Sequence, residues 1–131
     1  MDGLTATLGR SIFRIVLNDR NDPGDELAAT VAALAAMASE HRLAALRALI
    51  VAGGDGLSAG RLAELLALPA SSLSHHLDQL VRAGLIERRR AGRQRIYAPC
   101  FDRLDRVISY LMRNCCAGAQ SLPPPSHGAT R

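Results

Sequence analysis

Two amphipathic segments, Ser58 to Leu68 and Ala70 to Ala83, meet at Pro69, and this junction limits the possible folds more than any other feature of the chain. A proline disfavours helical geometry in the residue before it, so the first segment ends near Leu68 and the second starts afresh at Ala70. Ser58 is placed to cap the first segment, and Gly84 to close the second. Leu62, Leu65 and Leu66 give one an apolar side; Leu73, Leu77, Leu80 and Val81 give the other. Helices this short are marginal alone, so the two must cross and bury their apolar sides against each other.

Directly after Gly84 come Leu85-Ile86-Glu87-Arg88-Arg89-Arg90 and then Arg95-Ile96-Tyr97-Ala98, separated by Ala91-Gly92-Arg93-Gln94. Two short β-type runs about a glycine-containing turn read as a hairpin. The outline is a winged helix-turn-helix. Three further helices frame it. One runs from Glu26 to about Ala38 behind an Asp25 cap, with Leu27, Val31 and Leu34 in a stripe. A second starts at Ser39, carries Leu43, Leu46, Leu49 and Ile50, and ends at Gly53-Gly54. The last spans about Phe101 to Cys116, with Phe101, Leu104, Val107, Ile108, Leu111 and Cys115 along one side and Gly118 as its stop. The fold class expected is therefore mainly α with a small β-hairpin. Asn18-Asp19-Arg20-Asn21-Asp22-Pro23-Gly24 reads as a break. It divides an N-terminal extension, 1–25, from a domain at 26–118, and residues 119–131, with Pro123-Pro124-Pro125, read as a disordered tail.

Charge locates the working surface. All 16 basic residues are Arg against 12 acids, a net +4. Arg82, Arg88, Arg89, Arg90, Arg93 and Arg95, less Glu87, hold five net positive charges, so the remainder of the chain is about −1. Such a patch attracts a polyanion and releases its counterions on contact. Beside it, Ser71, Ser72, Ser74, His75 and Gln79 fall on outward or flanking sides of the second short helix, where hydroxyls near a helix N-terminus reach bases or phosphates. No nucleophile–base pair, phosphate loop or carboxylate constellation emerges, so the chain reads as a double-stranded-DNA-binding protein and not an enzyme. Apolar runs fall short of a membrane span, and Asp2, Arg10 and Arg14 break up a signal-peptide layout, so a cytoplasmic protein without a membrane partner is expected.

The stretch Met37 to Tyr97 resembles the ArsR/SmtB family of metal- and metalloid-responsive repressors. The matching pieces are His41-Arg42-Leu43-Ala44-Ala45-Leu46, Leu62-Ala63-Glu64-Leu65-Leu66, Ser71-Ser72-Leu73-Ser74-His75-His76-Leu77, Leu80-Val81-Arg82-Ala83-Gly84-Leu85-Ile86 and Arg89-Arg90-Ala91-Gly92-Arg93-Gln94-Arg95-Ile96-Tyr97. The resemblance implies a homodimer joined through its first and last helices, with recognition helices in successive major grooves of an imperfect palindrome. It places Ser71, Ser72, Ser74 and His75 at DNA-contacting positions, and His76 where a family histidine contacts phosphate or braces the helix. Two positions depart from the pattern. Pro69 replaces the usual capping Ser, and Asp78 stands where a base is frequent and would repel phosphate if it faced the duplex.

The three cysteines, Cys100, Cys115 and Cys116, read as reactive thiols and not as a disulfide scaffold. Family inducer sites elsewhere lack their ligands here: Ser58-Ala59-Gly60-Arg61-Leu62 has no thiol, and no His lies between His76 and His127 to complete a zinc site on the last helix. Asn114-Cys115-Cys116-Ala117-Gly118 resembles the segment of members that answer trivalent arsenic or antimony. Soft thiolates select such acceptors. Along a straight helix Cys100 and Cys115 would lie ~22 Å apart, too far to share an atom within one subunit. Antiparallel pairing of two last helices would bring Cys100 of one chain toward the pair of the other. A site with two thiols alone would favour a species with two exchangeable positions, such as methylated arsenic. Oxidation of the thiols to an inter-chain disulfide, or a constitutive DNA binder with inert cysteines, stays open as an alternative. The expected protein needs no cofactor and has a metalloid as its inducer.

Overall fold

The computed structural model describes residues 23–117. In order these form α1 (Pro23–Met37), α2 (Glu40–Ala52), β1 (Leu57–Ser58), α3 (Ala59–Leu66), α4 (Ala70–Arg82), β2 (Ile86–Ala91), β3 (Gln94–Pro99) and α5 (Phe101–Met112). Two serines start helices as their positions suggest. Ser39 Oγ accepts the Arg42 amide at 3.4 Å and Ser58 Oγ accepts the Arg61 amide at 3.1 Å. Each satisfies one of the amides that a helix N-terminus leaves without a partner.

The core lies where α2, α3, α4 and the sheet converge. Leu46 and Leu49 meet Leu62, then Leu73, Leu77 and Leu80, with Leu85, Ile86 and Tyr97 closing it from the sheet and Val107 from α5. Full burial of a leucine side chain contributes about 1.5–3 kcal/mol. The α3–α4 corner is sharper than Pro69 alone requires. Helix α3 stops at Leu66, and Ala67 takes a left-handed φ of 51°. Pro69 then leads into α4 in an extended conformation and makes no side-chain cap bond.

The hairpin belongs to a three-stranded antiparallel sheet in the order β1-β3-β2. Strand β1 is absent from the sequence reading because two residues leave no periodicity to read. It reaches β3 through Gly56, at φ +77°, where an added Cβ would land on the Tyr97 carbonyl oxygen and 3.0 Å from Ile96 Cγ2. Only glycine permits that approach.

Three expectations need correction. Helix α1 begins at Pro23, so Pro23-Gly24 is its first turn and not part of a break before residue 26. Proline suits that place because its missing N–H would have no partner there anyway. The inward side of α1 is built of small residues, Thr30, Ala33 and Ala36, while Val31 and Leu34 of the expected stripe stay exposed. Small side chains let the helix lie close on its neighbours, which turns the larger ones outward. Helix α5 ends at Met112, not near Cys116. Arg113 is extended, and Asn114 and Cys116 have φ of 56° and 65°. Cys115 therefore lies in a turn beyond the apolar stripe. Residues 1–22 of the N-terminal extension, the stop at Gly118 and the 119–131 tail fall outside the described residues.

Candidate nucleic-acid interface and thiol site

Because Leu73, Leu77 and Leu80 turn inward, Ser71, Ser72 and His75 come out exposed on α4, with Ser74 half-buried at its side. Ser74 shares the wall of a cavity of about 220 Å³ with Arg95 and Tyr97, between the starts of α3 and α4 and strand β3. The structure thus brings the serine of the helix and an arginine of the wing to one concavity. The Gln79 amide donates to His75 Nε2 at 2.9 Å, one turn along, which fixes the orientation of that ring.

His76 turns the other way. Its ring centroid lies 5.4 Å from that of His41 on α2, and its Nδ1 is buried without a hydrogen-bond partner. Burial first, then His41, Arg42 and His75, holds its pKa below the ordinary histidine value. This placement suits a brace between α4 and α2. The folded chain keeps His76 neutral where an unfolded chain would take up a proton, so stability is present above about pH 6.5 and is lost as pH falls below it. His76→Gln is expected to flatten that part of the acid loss. Thermal midpoints of both proteins at about pH 7.5 and about pH 5.5 test this, and equal slopes would refute it.

The wing divides its arginines by strand alternation. Arg88 stands opposite Tyr97 and Arg90 opposite Arg95 on one side of the sheet; Arg89 stands opposite Ile96 on the other. Arg88 Nη1 donates to Asp78 Oδ1 at 3.1 Å. Tyr97, and then Asp78, raise the Arg88 pKa by favouring its charged form. Asp78, the departure from the family pattern, is thereby turned toward the wing and tied to it. Arg89 Nη2 donates to the carbonyls of Gly54, at 2.9 Å, and Asp55, at 3.4 Å, and holds the α2–β1 turn. Arg90, Arg93 and Arg95 are exposed and have no protein partner among the described residues. Like charges directly opposite across strands are unfavourable, so Arg90 and Arg95 form a site that an anion would stabilise.

Cys100 occupies the N-cap position of α5, half-buried, with its amide donating to the Leu85 carbonyl at 2.9 Å. Cys115 and Cys116 are exposed and their sulfurs are 3.4 Å apart. Contact with Cys116 pushes the Cys115 thiol above its usual pKa. The twelve residues of α5 span about 18 Å between Cys100 and the turn that bears the pair. One chain does not bring the three thiols together, and among the described residues no cluster of three His, Cys, Asp or Glu side chains is arranged to hold a metal. Sequence reasoning missed a further contact here. Arg113 makes two hydrogen bonds to the Glu26 carboxylate on α1, at 2.8 and 2.9 Å, and lies 5.6 Å from the Tyr110 ring centre. Nothing local marks a pairing over so long a separation.

A short helix pair crossed under a three-stranded sheet, with a charged hairpin projecting beside the second helix, is the winged helix-turn-helix architecture. Comparison with known proteins narrows this. Residues 37–89 match the helix-turn-helix domain family HTH_20. A Halobacterium salinarum protein bearing the name arsenical resistance operon repressor ArsR is 40% identical over 74 residues, covering 56% of this chain and 57% of that protein. The chain thus spans little more than half the length of this curated relative. Among solved structures, HlyU from Vibrio cholerae is 36% identical, with 68% of this chain and 94% of HlyU covered and a TM-score of 0.55. An ArsR-like transcriptional regulator from Rhodococcus sp. RHA1 is 29% identical, with 71% and 82% covered and a TM-score of 0.60. The chain belongs to the ArsR family of winged helix-turn-helix transcriptional regulators. The relatives it matches are regulators and not enzymes. Among the described residues no helix is long and apolar enough to cross a membrane.

Proposed function

We propose that this chain is a repressor that binds palindromic operator DNA as a homodimer and is released by trivalent arsenic or antimony captured on Cys115 and Cys116. The DNA half of the reading is supported by Ser74 and Arg95 lining one concavity, with Ser71, Ser72 and His75 exposed on the same helix and Arg90 opposite Arg95 on the wing. Helix α4 has no side-chain cap, so amides of its first turn remain available to a phosphate. Arg88 and Arg89 act one step back, by holding the wing against Asp78 and the α2–β1 turn.

The observation that carries the inducer half is the pair of exposed sulfurs at 3.4 Å. Two thiolate bonds of about 2.3 Å meeting near a right angle span roughly 3.3 Å, so the sulfurs already stand at the separation that one soft atom needs to bridge them. With arsenous acid, two S–As bonds form and two As–O bonds break. Each thiol proton leaves with a hydroxide as water, and one hydroxyl stays on arsenic. No oxidant or reductant is needed. The name of the halobacterial relative agrees with this ligand class. A third thiolate, where one joins, is Cys100 supplied by the second subunit; without it a methylated arsenic species satisfies the pair.

In an operator-binding assay, arsenite or antimonyl tartrate is expected to weaken the wild-type complex by about 5–150-fold, the usual range of coupling between two sites. Replacing both Cys115 and Cys116 by Ser should leave metalloid-free affinity unchanged and abolish release. Cys100→Ser distinguishes a third ligand, which lowers metalloid affinity, from a two-thiol site, which does not. Equal release of wild type and the double variant would overturn the inducer assignment. Release by peroxide but not by arsenite would give the thiols to redox sensing.

A further inference from the structure

Between the thiol pair and the rest of the fold stands the Glu26–Arg113 ion pair, which neither the DNA surface nor the thiols themselves explain. We infer that it is the element that couples metalloid capture to DNA release, an inference that rests on the inducer reading above. Arg113 is the first residue after α5, extended where the helix would have continued. Its guanidinium reaches back over Tyr110 to hold both oxygens of Glu26, in the first turn of α1. Among the described residues, a second polar tie between the two helices is longer: Arg103 Nη2 to the Ala29 carbonyl at 3.5 Å. The ion pair is therefore the main polar fastening of the thiol-bearing turn to α1.

The turn it fastens is strained. Asn114 and Cys116 both sit in the left-handed region, at φ of 56° and 65°, which costs more in a cysteine than in asparagine or glycine. Successive tight bonds hold it, from the Cys115 amide to the Met112 carbonyl at 3.1 Å and from the Ala117 amide to the Asn114 carbonyl at 3.0 Å. Joining both sulfurs to one atom closes a ring through the Cys115–Cys116 peptide and imposes the ring's own torsions on the strained residue. Ring and ion pair then compete for the same turn. Ring closure lets Cys116 leave the left-handed region, draws Arg113 off Glu26, and frees α1 from the end of α5. These are the helices whose exposed Val31, Leu34, Ile108 and Leu111 form the proposed subunit contact, so their relative movement changes the spacing of the two recognition helices. The pair is suited to open: its side chains are 32% and 23% exposed, held together but within reach of water.

The test uses the full-length protein with Glu26→Gln, Arg113→Gln and both together, each measured for operator affinity with and without arsenite, and for arsenite affinity of the free protein. Each single variant is expected to bind operator less tightly before arsenite is added and to lose at least about fivefold of the arsenite-induced release. Coupling is reciprocal, so free-protein arsenite affinity should rise by a similar factor; a purely structural loss would not raise it. The double variant should match either single one, because one interaction has been removed in each case. Wild-type release retained in full by E26Q and R113Q overturns the coupling role while leaving the thiol site standing. Absence of release from wild type removes the inducer reading and the coupling role together.

Discussion

Ile108→Asp is expected to split the proposed homodimer and to lower affinity for a full palindromic operator by on the order of 10²–10⁴, the factor that linking two binding modules supplies. Ile108 lies on α5 with 61% of its surface exposed, beside Phe101, Leu111 and Met112, and Val31 and Leu34 are exposed on neighbouring α1. Scattered exposed apolar residues are ordinary, but a row of this size on two adjoining helices is the surface that the proposed subunit contact would cover. In a two-fold contact one substitution places a carboxylate on both sides at once, and neither has a partner. The subunit itself should survive, since its core is made by Leu46, Leu62, Leu77 and Tyr97 and does not include Ile108. Sedimentation should report a monomer, circular dichroism an unchanged helix content, and binding to an isolated half-site should stay near that of one wild-type subunit. A variant that still sediments as a dimer would place the subunit contact elsewhere.

That apolar row also shows where reading the sequence stops. Periodicity identifies Val31 and Leu34 as one side of a helix, but it cannot say whether that side meets the chain's own core or a second copy. The core took Thr30, Ala33 and Ala36 instead, because small residues allow close packing. Features ruled by near neighbours were legible: Ser39 and Ser58 as caps, the corner at Pro69, the end of α4 before Gly84, the hairpin about Gly92. Features set by distant partners were not. Asp78 seemed a misfit on a DNA-facing helix until Arg88, on the next element, was placed beside it. The partition of the wing arginines follows from strand alternation, yet which side faces α4 depends on the register Arg88 to Tyr97. The end of α5 was misplaced because nothing between Met112 and Gly118 is a helix breaker by composition. The turn there is held by contact with α1, through residues 26 and 113.

The same partition of charge sets what removal of wing arginines should do. Arg90→Ala with Arg95→Ala takes two arginines that stand opposite each other in the hairpin and have no protein partner among the described residues. In a dimer that deletes four cationic contacts. At about 1 kcal/mol for each net contact, operator affinity should fall by roughly 10³. The salt dependence carries the sharper signature. Each phosphate neutralised contributes about 0.9 to the slope of log affinity against log salt, so the slope should become shallower by about 3.6. The loss should be nearly the same on operator and on unrelated duplex, because phosphate contacts position a protein without reading sequence. Arg89→Ala makes the contrast. Its guanidinium is engaged with the carbonyls of Gly54 and Asp55, so it should lower thermal stability and leave the salt slope close to wild type. Fluorescence anisotropy across a range of salt concentrations separates the two outcomes. An unchanged slope for the Arg90 and Arg95 variant would mean that the wing does not lie on the phosphate backbone, and that α4 alone carries the duplex.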